Sequence, residues 1–419
     1  MGSAFSVSRL GACEFSSPLH VPSYVGDEDC LLVDPVVRKG RTNNACPDVL
    51  ELAGARERIF FEPAKMRAAI VTCGGLCPGL NDVIRGLTMV LWYRYGVRDI
   101  LGLRYGYEGL VPSYGHAPMH LTPECVEDIH KDGGTILGSS RGGQDVPTQV
   151  TYLEEHGINV LFAIGGDGTQ RGALDISQEV KRRGLDIAVI GIPKTIDNDV
   201  SFTERTFGFE TAVAMSQIPI VGIHNEARGV RNGVGLVKLM GRESGFIAAY
   251  ATLASSDVNL VLVPEVPFTL DQVLVFLEQR LKQKSHAVIV VAEGAGQDLA
   301  SVEGTDPSGN RNLGDIGVFL KDVIKQHFRD TPLHVGVKYV DPSYTIRSAQ
   351  ATADDSVFCF QLAEDAVHAA MAGRTGMVVG LWNGRFVHVP VEKSVSVRKQ
   401  IDPRGSLWQS VLSNTGQPF

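Results

Sequence analysis

Short runs of consecutive apolar residues, each ending in a glycine-rich or polar turn, recur along the chain from Met66 onward. They cover residues 68–72, 160–164, 187–190 and 288–291. Because these runs lack the alternation of a half-exposed strand, they predict strands of a parallel sheet that is buried on both faces. A helical pattern follows the first run, with Asn81 as a candidate cap. The repeated strand–loop–helix unit predicts a doubly wound α/β fold, whose ligands bind beyond the carboxyl ends of the strands.

Composition and the pattern of apolar runs divide the chain into four segments. Residues 1–65 are irregular and rich in scattered prolines, so we expect an extension that lies over the body or is partly mobile. Residues 66–200 and 201–350 predict two doubly wound, Rossmann-like parallel-sheet domains, with the active site in the cleft between them. Residues 351–419 contain a final helix near 353–373 and predict a segment that crosses back over the domains.

Composition and charge exclude several classes of protein. Many of the 46 glycines are grouped in short clusters after apolar runs, which indicates loops where the backbone approaches a ligand closely. A net charge of -8 argues against non-specific binding of nucleic acid. The apolar runs are all shorter than a membrane span, so we expect no membrane association. Seven cysteines without zinc-site spacing predict reduced thiols in a cytoplasmic compartment.

The glycine loop at residues 165–169, Gly-Gly-Asp-Gly-Thr, lies between a predicted strand and a predicted helix. Glycines there let backbone N–H groups and the helix dipole face a phosphate, and Asp167 is placed to hold Mg²⁺. A dinucleotide fingerprint is missing at the first strand, and a Walker A loop is excluded because the chain has no Gly-Lys pair. An ordinary strand–helix turn, a lipid kinase and an NAD kinase remain alternatives for this loop alone.

A second polar cluster at residues 191–199 places Asp197 and Asp199 two residues apart after a predicted strand. One carboxylate of such a pair can accept the proton of an attacking hydroxyl while the other supports a metal. The sequence Asp-Asn-Asp at 197–199 is also typical of a polar turn without any catalytic role. The glycine loop only about two dozen residues earlier favours phosphoryl transfer.

Five ordered motifs resemble the 6-phosphofructokinases. They are Gly-Gly-Leu-Cys-Pro-Gly-Leu-Asn at 74–81, the loop at 165–169, Pro-Lys-Thr-Ile-Asp-Asn-Asp at 193–199, Met-Gly-Arg at 240–242 and Tyr-Thr-Ile-Arg at 344–347. The similarity extends from Glu57 to the C-terminus. It is closest to the ATP-dependent branch of plants and trypanosomatids.

For the phosphoryl donor, the resemblance implies that ATP binds to Gly75, Arg141, Gly142, Gly166, Asp167, Gly168 and Thr169. It also implies that Asp167 binds Mg²⁺, assisted by Asp199. Arg141 is the candidate cation that stabilises charge on the transferred group.

For the acceptor, the resemblance implies that fructose 6-phosphate binds to Thr195, Ile196, Asp197, Met240, Gly241, Arg242, Glu293, Lys338, Tyr344 and Arg347. Asp197 would be the proton acceptor for the 1-hydroxyl, with Asp199 and Arg141 as the other catalytic residues. Lys338, Tyr344 and Arg347 would reach the 6-phosphate, which arginine matches with a bidentate fork.

Two positions that distinguish ATP-dependent from pyrophosphate-dependent relatives give opposite indications in this chain. Lys194 is typical of pyrophosphate-dependent relatives, whereas Gly168 stands where those relatives have aspartate. Glycine leaves open the space that the α-phosphate of ATP occupies, so Gly168 favours ATP. Gly233 stands where the bacterial pattern has a phosphate-binding arginine, so bacterial-style effector control and sharing of the sugar-phosphate site between subunits are not implied.

The sequence therefore predicts a cytoplasmic, ATP-dependent 6-phosphofructokinase of glycolysis that uses Mg²⁺ and assembles as a homodimer or homotetramer. One alternative is the same reaction with pyrophosphate as donor. Another is a catalytically silent subunit that senses sugar phosphates, which Asp167, Asp197 and Arg347 argue against. A lipid or NAD kinase leaves the clusters at 193–199 and 344–347 unexplained.

Overall fold

The computed structural model describes residues 5–36, 47–300, 302–305 and 311–419. In chain order, the strands of these residues are β1 Ser8–Arg9, β2 Phe15–Ser16, β3 Cys30–Leu32, β4 Val49–Leu52, β5 Arg58–Ile59, β6 Arg67–Thr72, β7 Asp99–Leu103, β8 Met119–His120, β9 Val160–Gly165, β10 Ala188–Pro193, β11 Gly233–Leu239, β12 Leu260–Leu262, β13 His286–Ala292, β14 Gly336–Val340, β15 Arg374–Thr375, β16 Met377–Trp382 and β17 Arg385–Pro390.

The helices are α1 Leu80–Met89, α2 Val146–Glu155, α3 Asp167–Arg183, α4 Phe209–Arg228, α5 Phe246–Ser255, α6 Leu270–Lys284, α7 Ile316–Phe328, α8 Ser343–Arg347, α9 Ala353–Met371, α10 Val391–Ser394 and α11 Ser406–Thr415. A π-helical stretch, Val90–Tyr95, continues α1, and short 3₁₀ segments lie at Pro63–Lys65, Gly106–Leu110, Pro112–Tyr114 and Ile129–Lys131. Within the described parts of the chain, no helix has the length and apolar character needed to span a membrane.

The first of two compact units contains the described residues up to Thr195, together with Val200–Gly208 and Gln350–Val397. Its sheet has nine strands in the order β3-β4-β17-β16-β10-β9-β6-β7-β8, and the neighbours from β16 to β7 are parallel. Alternate residues of the strands pack on α2 and α3, as Leu161 does with Leu153 and Ile176. Helix α9 contacts β10, β16 and α1.

The second unit contains Ile196–Asp199, Phe209–Ala349 and Arg398–Phe419, within the described residues. Its sheet is parallel throughout, in the order β12-β13-β11-β14. Val237 and Val290 pack with α4, α5 and α11, whereas Leu236 and Ile289 pack with α6 and α7. Both faces of this sheet are therefore covered, as the unbroken apolar runs predicted.

The four strands predicted from the apolar runs are confirmed as β6, β9, β10 and β13. The doubly wound, Rossmann-like α/β class is confirmed with them. The six cysteines of the described residues are free thiols, as expected, and Cys46 lies outside those residues.

The described part of the N-terminal segment lies against the first unit and contains short strands that its composition did not indicate. Strand β1 pairs with β15, and β3 and β4 extend the nine-stranded sheet beside β17. Asp27 and Glu51 of this segment pair with Arg374 at 2.7 and 2.8 Å, and the Arg374 side chain is only 1% exposed. Because a buried guanidinium needs anionic partners, the segment supplies charges that the rest of this unit requires.

Candidate active site

The first group of predicted residues lies at the carboxyl ends of β6, β9 and β10, which are neighbours in the parallel sheet of the first unit. Three loops follow these strands: residues 73–79 after β6, the short connection at Gly166 after β9, and the segment that begins at Lys194 after β10. We call these loops, together with Arg141 and the start of α3, the first-unit site. Ligands of doubly wound sheets bind beyond this edge.

Lys194 connects the three loops of the first-unit site. Its backbone N–H donates to the Gly165 carbonyl at 2.9 Å, and its Nζ donates to the Gly75 carbonyl at 2.7 Å. The residue is 92% buried, so its ammonium lies at the base of the loops rather than on the surface. A lysine held in this way can offer positive charge to a phosphate while its stem stays packed.

Gly74 and Gly75 lie against two cations. A Cβ atom built on Gly74 would be 3.4 Å from Lys194 Nζ, and one built on Gly75 would be 3.4 Å from Arg141 Nη2. Glycine at both positions therefore lets the backbone of this loop approach the two cations closely. The structure thus brings together Gly75, Arg141 and Lys194, and Gly142 follows with a φ of +97°.

Helix α3 begins at Asp167, directly after β9, with Gly166 as its N-cap residue. Its positive end suits an anion. A Cβ atom on Gly165 would lie 2.2 Å from Thr169 Oγ1, so the tight turn requires glycine there. In contrast, among the described residues and apart from the adjoining helix backbone and chain neighbours, no atom lies within 4 Å of a Cβ position on Gly168, so the space beside the helix start is open.

The residues of the first-unit site fit a magnesium–nucleotide complex better than a bare metal ion. No group of three or more His, Cys, Asp or Glu side chains in the described residues could hold a metal by itself. Mg²⁺ is usually held by one or two carboxylates together with the phosphates of a substrate. Asp167, at the open start of α3, is a suitable carboxylate for that arrangement.

The second group of predicted residues lies in the second unit, and we call it the second-unit site. It begins with the turn Asp197–Asn198–Asp199, in which Asn198 has a φ of +57°. Asp197 Oδ2 accepts a hydrogen bond from the backbone N–H of Arg242 at 3.3 Å. The side chain of Asp199 is 7% exposed and pairs with Arg398 at 2.8 Å.

The loop Met240–Gly241–Arg242 follows β11 and packs on the loop after the neighbouring strand β13. Gly294 donates its N–H to the Gly241 carbonyl at 3.0 Å, and a Cβ atom on Gly294 would lie 1.8 Å from the Arg242 carbonyl oxygen. Only glycine allows this approach of the two loops. Gly241 has a φ of +122°, which also favours glycine.

The third part of the second-unit site follows β14 and includes Tyr344 and Arg347 of α8. Asp341 accepts hydrogen bonds from the N–H and hydroxyl of Ser343 and also pairs with Lys238 at 2.9 Å. Arg347 lies over the Tyr344 ring, 5.1 Å from its centroid. Lys338 pairs with Glu226 of α4 at 3.4 Å and is half exposed, so the structure does not group it with Arg347.

Burial raises the pKa of the Asp197 carboxyl to about 8, and the negative charges of Asp199 and Glu293 act in the same direction. The Arg242 N–H and the charge of Arg398 oppose this shift. Burial also raises the pKa of Glu293, against the nearby positive charges of Arg347, Lys238 and Arg242. A carboxyl with a raised pKa among polar groups is typical of a proton acceptor.

Sequence reasoning missed two charged residues that support the second-unit site. Lys238 pairs with Asp315 and Asp341 at 3.0 and 2.9 Å, and Arg398 pairs with Asp199. Lys238 is two residues before Met240, so its position on a buried strand was a usable signal. Arg398 is about 200 residues from its partner and lies in no recognised motif.

The predicted site residues thus form two groups within the described chain. Gly75, Arg141, Gly142, Lys194, Thr195 and residues 166–169 belong to the first unit. Ile196, Asp197, Asp199, Met240, Gly241, Arg242, Glu293, Lys338, Tyr344 and Arg347 belong to the second. Both groups combine glycine-rich loops with cations, which defines a doubly wound α/β protein suited to phosphate ligands.

Comparison with known proteins identifies the family. A family model described as "Phosphofructokinase" matches residues 67–370. The ATP-dependent 6-phosphofructokinase of Trypanosoma brucei brucei is 50% identical, covering 98% of this chain and 86% of that protein. The ATP-dependent 6-phosphofructokinase 7 of Arabidopsis thaliana is 49% identical, covering 87% of this chain and 76% of that protein. The chain belongs to the phosphofructokinase family, as its motifs predicted.

A solved structure supports the fold. The pyrophosphate-dependent phosphofructokinase of Marinobacter aquaeolei aligns with a TM-score of 0.70 at 20% identity, covering 84% of this chain and 91% of that chain. At this identity the likeness bears on the fold alone. The similarity to plant and trypanosomatid proteins confirms the branch that the motifs indicated.

Proposed function

We propose that this chain is an ATP-dependent 6-phosphofructokinase, which transfers a phosphoryl group from ATP to O1 of fructose 6-phosphate. The observation that carries this proposal is the Asp197 carboxyl, held by the Arg242 N–H and raised in pKa beside Glu293. A hydroxyl acceptor needs such a base, and the cations Arg242 and Arg347 near Glu293 suit a sugar phosphate.

The residues of the two sites have separate tasks in this reaction. Arg347 binds the 6-phosphate and fixes the sugar, and Asp197 accepts the proton of the 1-hydroxyl as it attacks. Arg141 and Lys194 stabilise negative charge on the donor phosphates. When bound, Mg²⁺ neutralises part of that charge, and Asp167 would hold it. Little covalent chemistry is required of the protein.

The choice of ATP as donor depends on Gly168. The open space beside this residue leaves room for an α-phosphate, and relatives that are 46–50% identical are named ATP-dependent. Lys194, buried against Gly75, favours the second candidate, the same reaction with pyrophosphate. A silent regulatory subunit would not need the proton acceptor Asp197 together with the magnesium ligand Asp167.

The proposed function is tested by offering each donor separately to the purified chain. Fructose 1,6-bisphosphate is measured with aldolase-coupled enzymes, in the presence of Mg²⁺ and either ATP or pyrophosphate. We expect turnover with ATP, within the usual range of roughly 1–100 s⁻¹ for kinases. Turnover with pyrophosphate alone would establish the second candidate, and no product with either donor would reject both.

Cytoplasmic location and assembly as a homodimer or homotetramer also belong to this proposal. The free thiols of the described cysteines support an enzyme of a reducing compartment. Light scattering of the purified chain measures the assembly, and a monomeric mass would contradict it.

Arg347→Ala tests the assignment of the sugar-phosphate group. The 6-phosphate is remote from the reacting hydroxyl, so its contacts stabilise ground and transition states alike. We therefore expect the KM for fructose 6-phosphate to rise by at least an order of magnitude, with little change in the KM for ATP. Arg329→Ala removes an exposed arginine after α7 of the same unit and serves as the matched control. A change in the ATP constant alone would contradict the assignment.

A further inference from the structure

The segment Arg398–Ile401, which we call the strap, lies against two loops of the second-unit site. At its start, Arg398 Nη1 donates to Asp199 Oδ2 at 2.8 Å. The backbone N–H of Lys399 donates to the Asp199 carbonyl at 2.9 Å. The strap therefore holds both the side chain and the main chain of Asp199, two residues after the proposed base Asp197.

The middle of the strap holds the loop that follows β11. The hydroxyl of Ser244 donates to the Lys399 carbonyl at 2.6 Å, and the side-chain amide of Gln400 donates to the Glu243 carbonyl at 2.9 Å. This is the loop whose Arg242 N–H donates to Asp197. The strap thus ties together the two loops that share the Asp197 hydrogen bond.

The far end of the strap is fixed by the partly buried carboxylate of Glu265. Its Oε1 accepts from the Ile401 N–H at 2.9 Å and from the Gly245 N–H, at the start of α5, also at 2.9 Å. Beyond it, Ile401 and Trp408 are buried in the core of the second unit. Gln417 accepts a hydrogen bond from the Val261 N–H and donates one to the Val261 carbonyl, so the C-terminal residues that follow the strap are also fixed to this unit.

We infer that the strap is a positioning element for phosphoryl transfer, in which Arg398 and Glu265 hold Asp197 in the orientation that accepts the proton of the substrate hydroxyl. This inference rests on the proposed function. Neither residue touches the reacting atoms in this scheme; each acts through Asp199 or through the loop of Arg242. A misplacement of about 1 Å at a reacting group can cost on the order of 100-fold in rate.

The strap is tested with Arg398→Met, which keeps an apolar stem of similar bulk near the backbone and removes the guanidinium, with its charge and its hydrogen bond to Asp199. We expect kcat to fall by at least about tenfold, with the KM for both substrates changed less than about threefold, because orientation rather than binding is lost. Arg398→Lys should recover most of kcat. Arg404→Met removes an exposed arginine of the same C-terminal segment and should behave as the parent.

Hydrogen–deuterium exchange gives a second reading that does not depend on activity. Peptides covering residues 196–200 should exchange faster in Arg398→Met and in Glu265→Gln, while peptides of β13 keep the parental rate. Unchanged exchange at 196–200 in both variants, or parental kcat in Arg398→Met, would overturn the inference. If the parent chain phosphorylates no sugar, the proposed function fails, whereas the exchange data still test whether the strap holds this loop.

Discussion

Asp197→Asn is expected to lose most of kcat while its affinity for fructose 6-phosphate stays near that of the parent. The two side chains are nearly equal in size, so Asn can still accept the Arg242 N–H through its amide oxygen. An amide cannot take a proton from the attacking hydroxyl, however, and removal of a general base typically costs roughly 10²–10⁴-fold. Steady-state kinetics with ATP and a direct binding measurement with the sugar phosphate separate these two effects.

The matched control for this variant is Asp322→Asn, which changes a mostly exposed aspartate of α7 in the same unit. We expect parental kinetics from it. An Asp197→Asn chain that keeps near-parental kcat would remove Asp197 as the proton acceptor. A chain with parental kcat and a large rise in sugar KM would make Asp197 a binding residue instead.

The same variant gives an independent reading through stability. Burial raises the folded-state pKa of Asp197 to about 8, above the value of roughly 4 in an unfolded chain. Between these two values the folded chain binds more protons than the unfolded chain, so the free energy of unfolding of the parent falls as the pH rises. Asparagine does not titrate. Urea unfolding should therefore show Asp197→Asn gaining stability relative to the parent from pH 5 to pH 8. If the difference in the free energy of unfolding between the two chains does not change over this range, the raised pKa of Asp197 is contradicted.

Much of the fold could be predicted from local sequence because both sheets are buried on both faces. The interior strands β6, β9, β10 and β13 contain the unbroken apolar runs, and each run ends where its loop turns toward a ligand edge. The glycines at the ends of the runs predicted loops of close backbone approach. The structure gives the reason at two of them, because a Cβ atom on Gly165 or Gly294 would clash with Thr169 or Arg242. Covalent spacing then placed Asp167 and Asp197 after their strands.

Long-range partners could not be predicted in the same way. The buried Arg374 depends on Asp27 and Glu51, more than 300 residues away, and nothing in the local pattern of residues 5–36 or 47–65 indicates those ion pairs or the short strands that carry them. Arg398 presents the same difficulty, because only the folded chain shows its pairing with Asp199. For Lys194 the residue type was readable as a specificity signal, whereas its hydrogen bond to Gly75 required coordinates.

Gly168→Asp is expected to fold normally and to lose most of its activity with ATP. In the part of the chain that the structure describes, nothing beyond the adjoining helix backbone and chain neighbours lies within 4 Å of the Cβ position at residue 168, and aspartate is favoured in the first turn of a helix. The variant chain therefore has little reason to unfold. Melting temperatures close to that of the parent would verify this point before any kinetic comparison.

The loss of ATP activity would come from charge rather than from size. An aspartate beside the start of α3 would place a negative charge where the α-phosphate of ATP is proposed to lie. Like charges about 4 Å apart cost about 4 kcal/mol at an effective dielectric near 20, or roughly a thousandfold in kcat/KM for ATP. Pyrophosphate does not extend into that space, and Lys194 already offers the cation found in its users, so any trace activity with pyrophosphate should persist or rise.

Two controls separate the causes. Gly168→Ala adds a methyl group without charge and should keep most of the parental kcat/KM for ATP. Gly222→Asp adds the same charge at an open, exposed position of α4 and should be neutral. If Gly168→Asp folds and keeps parental turnover and KM with ATP, then residue 168 does not select the donor. If Gly168→Ala fails as badly as the aspartate variant, the site excludes any side chain, and repulsion of the α-phosphate is not the reason for glycine.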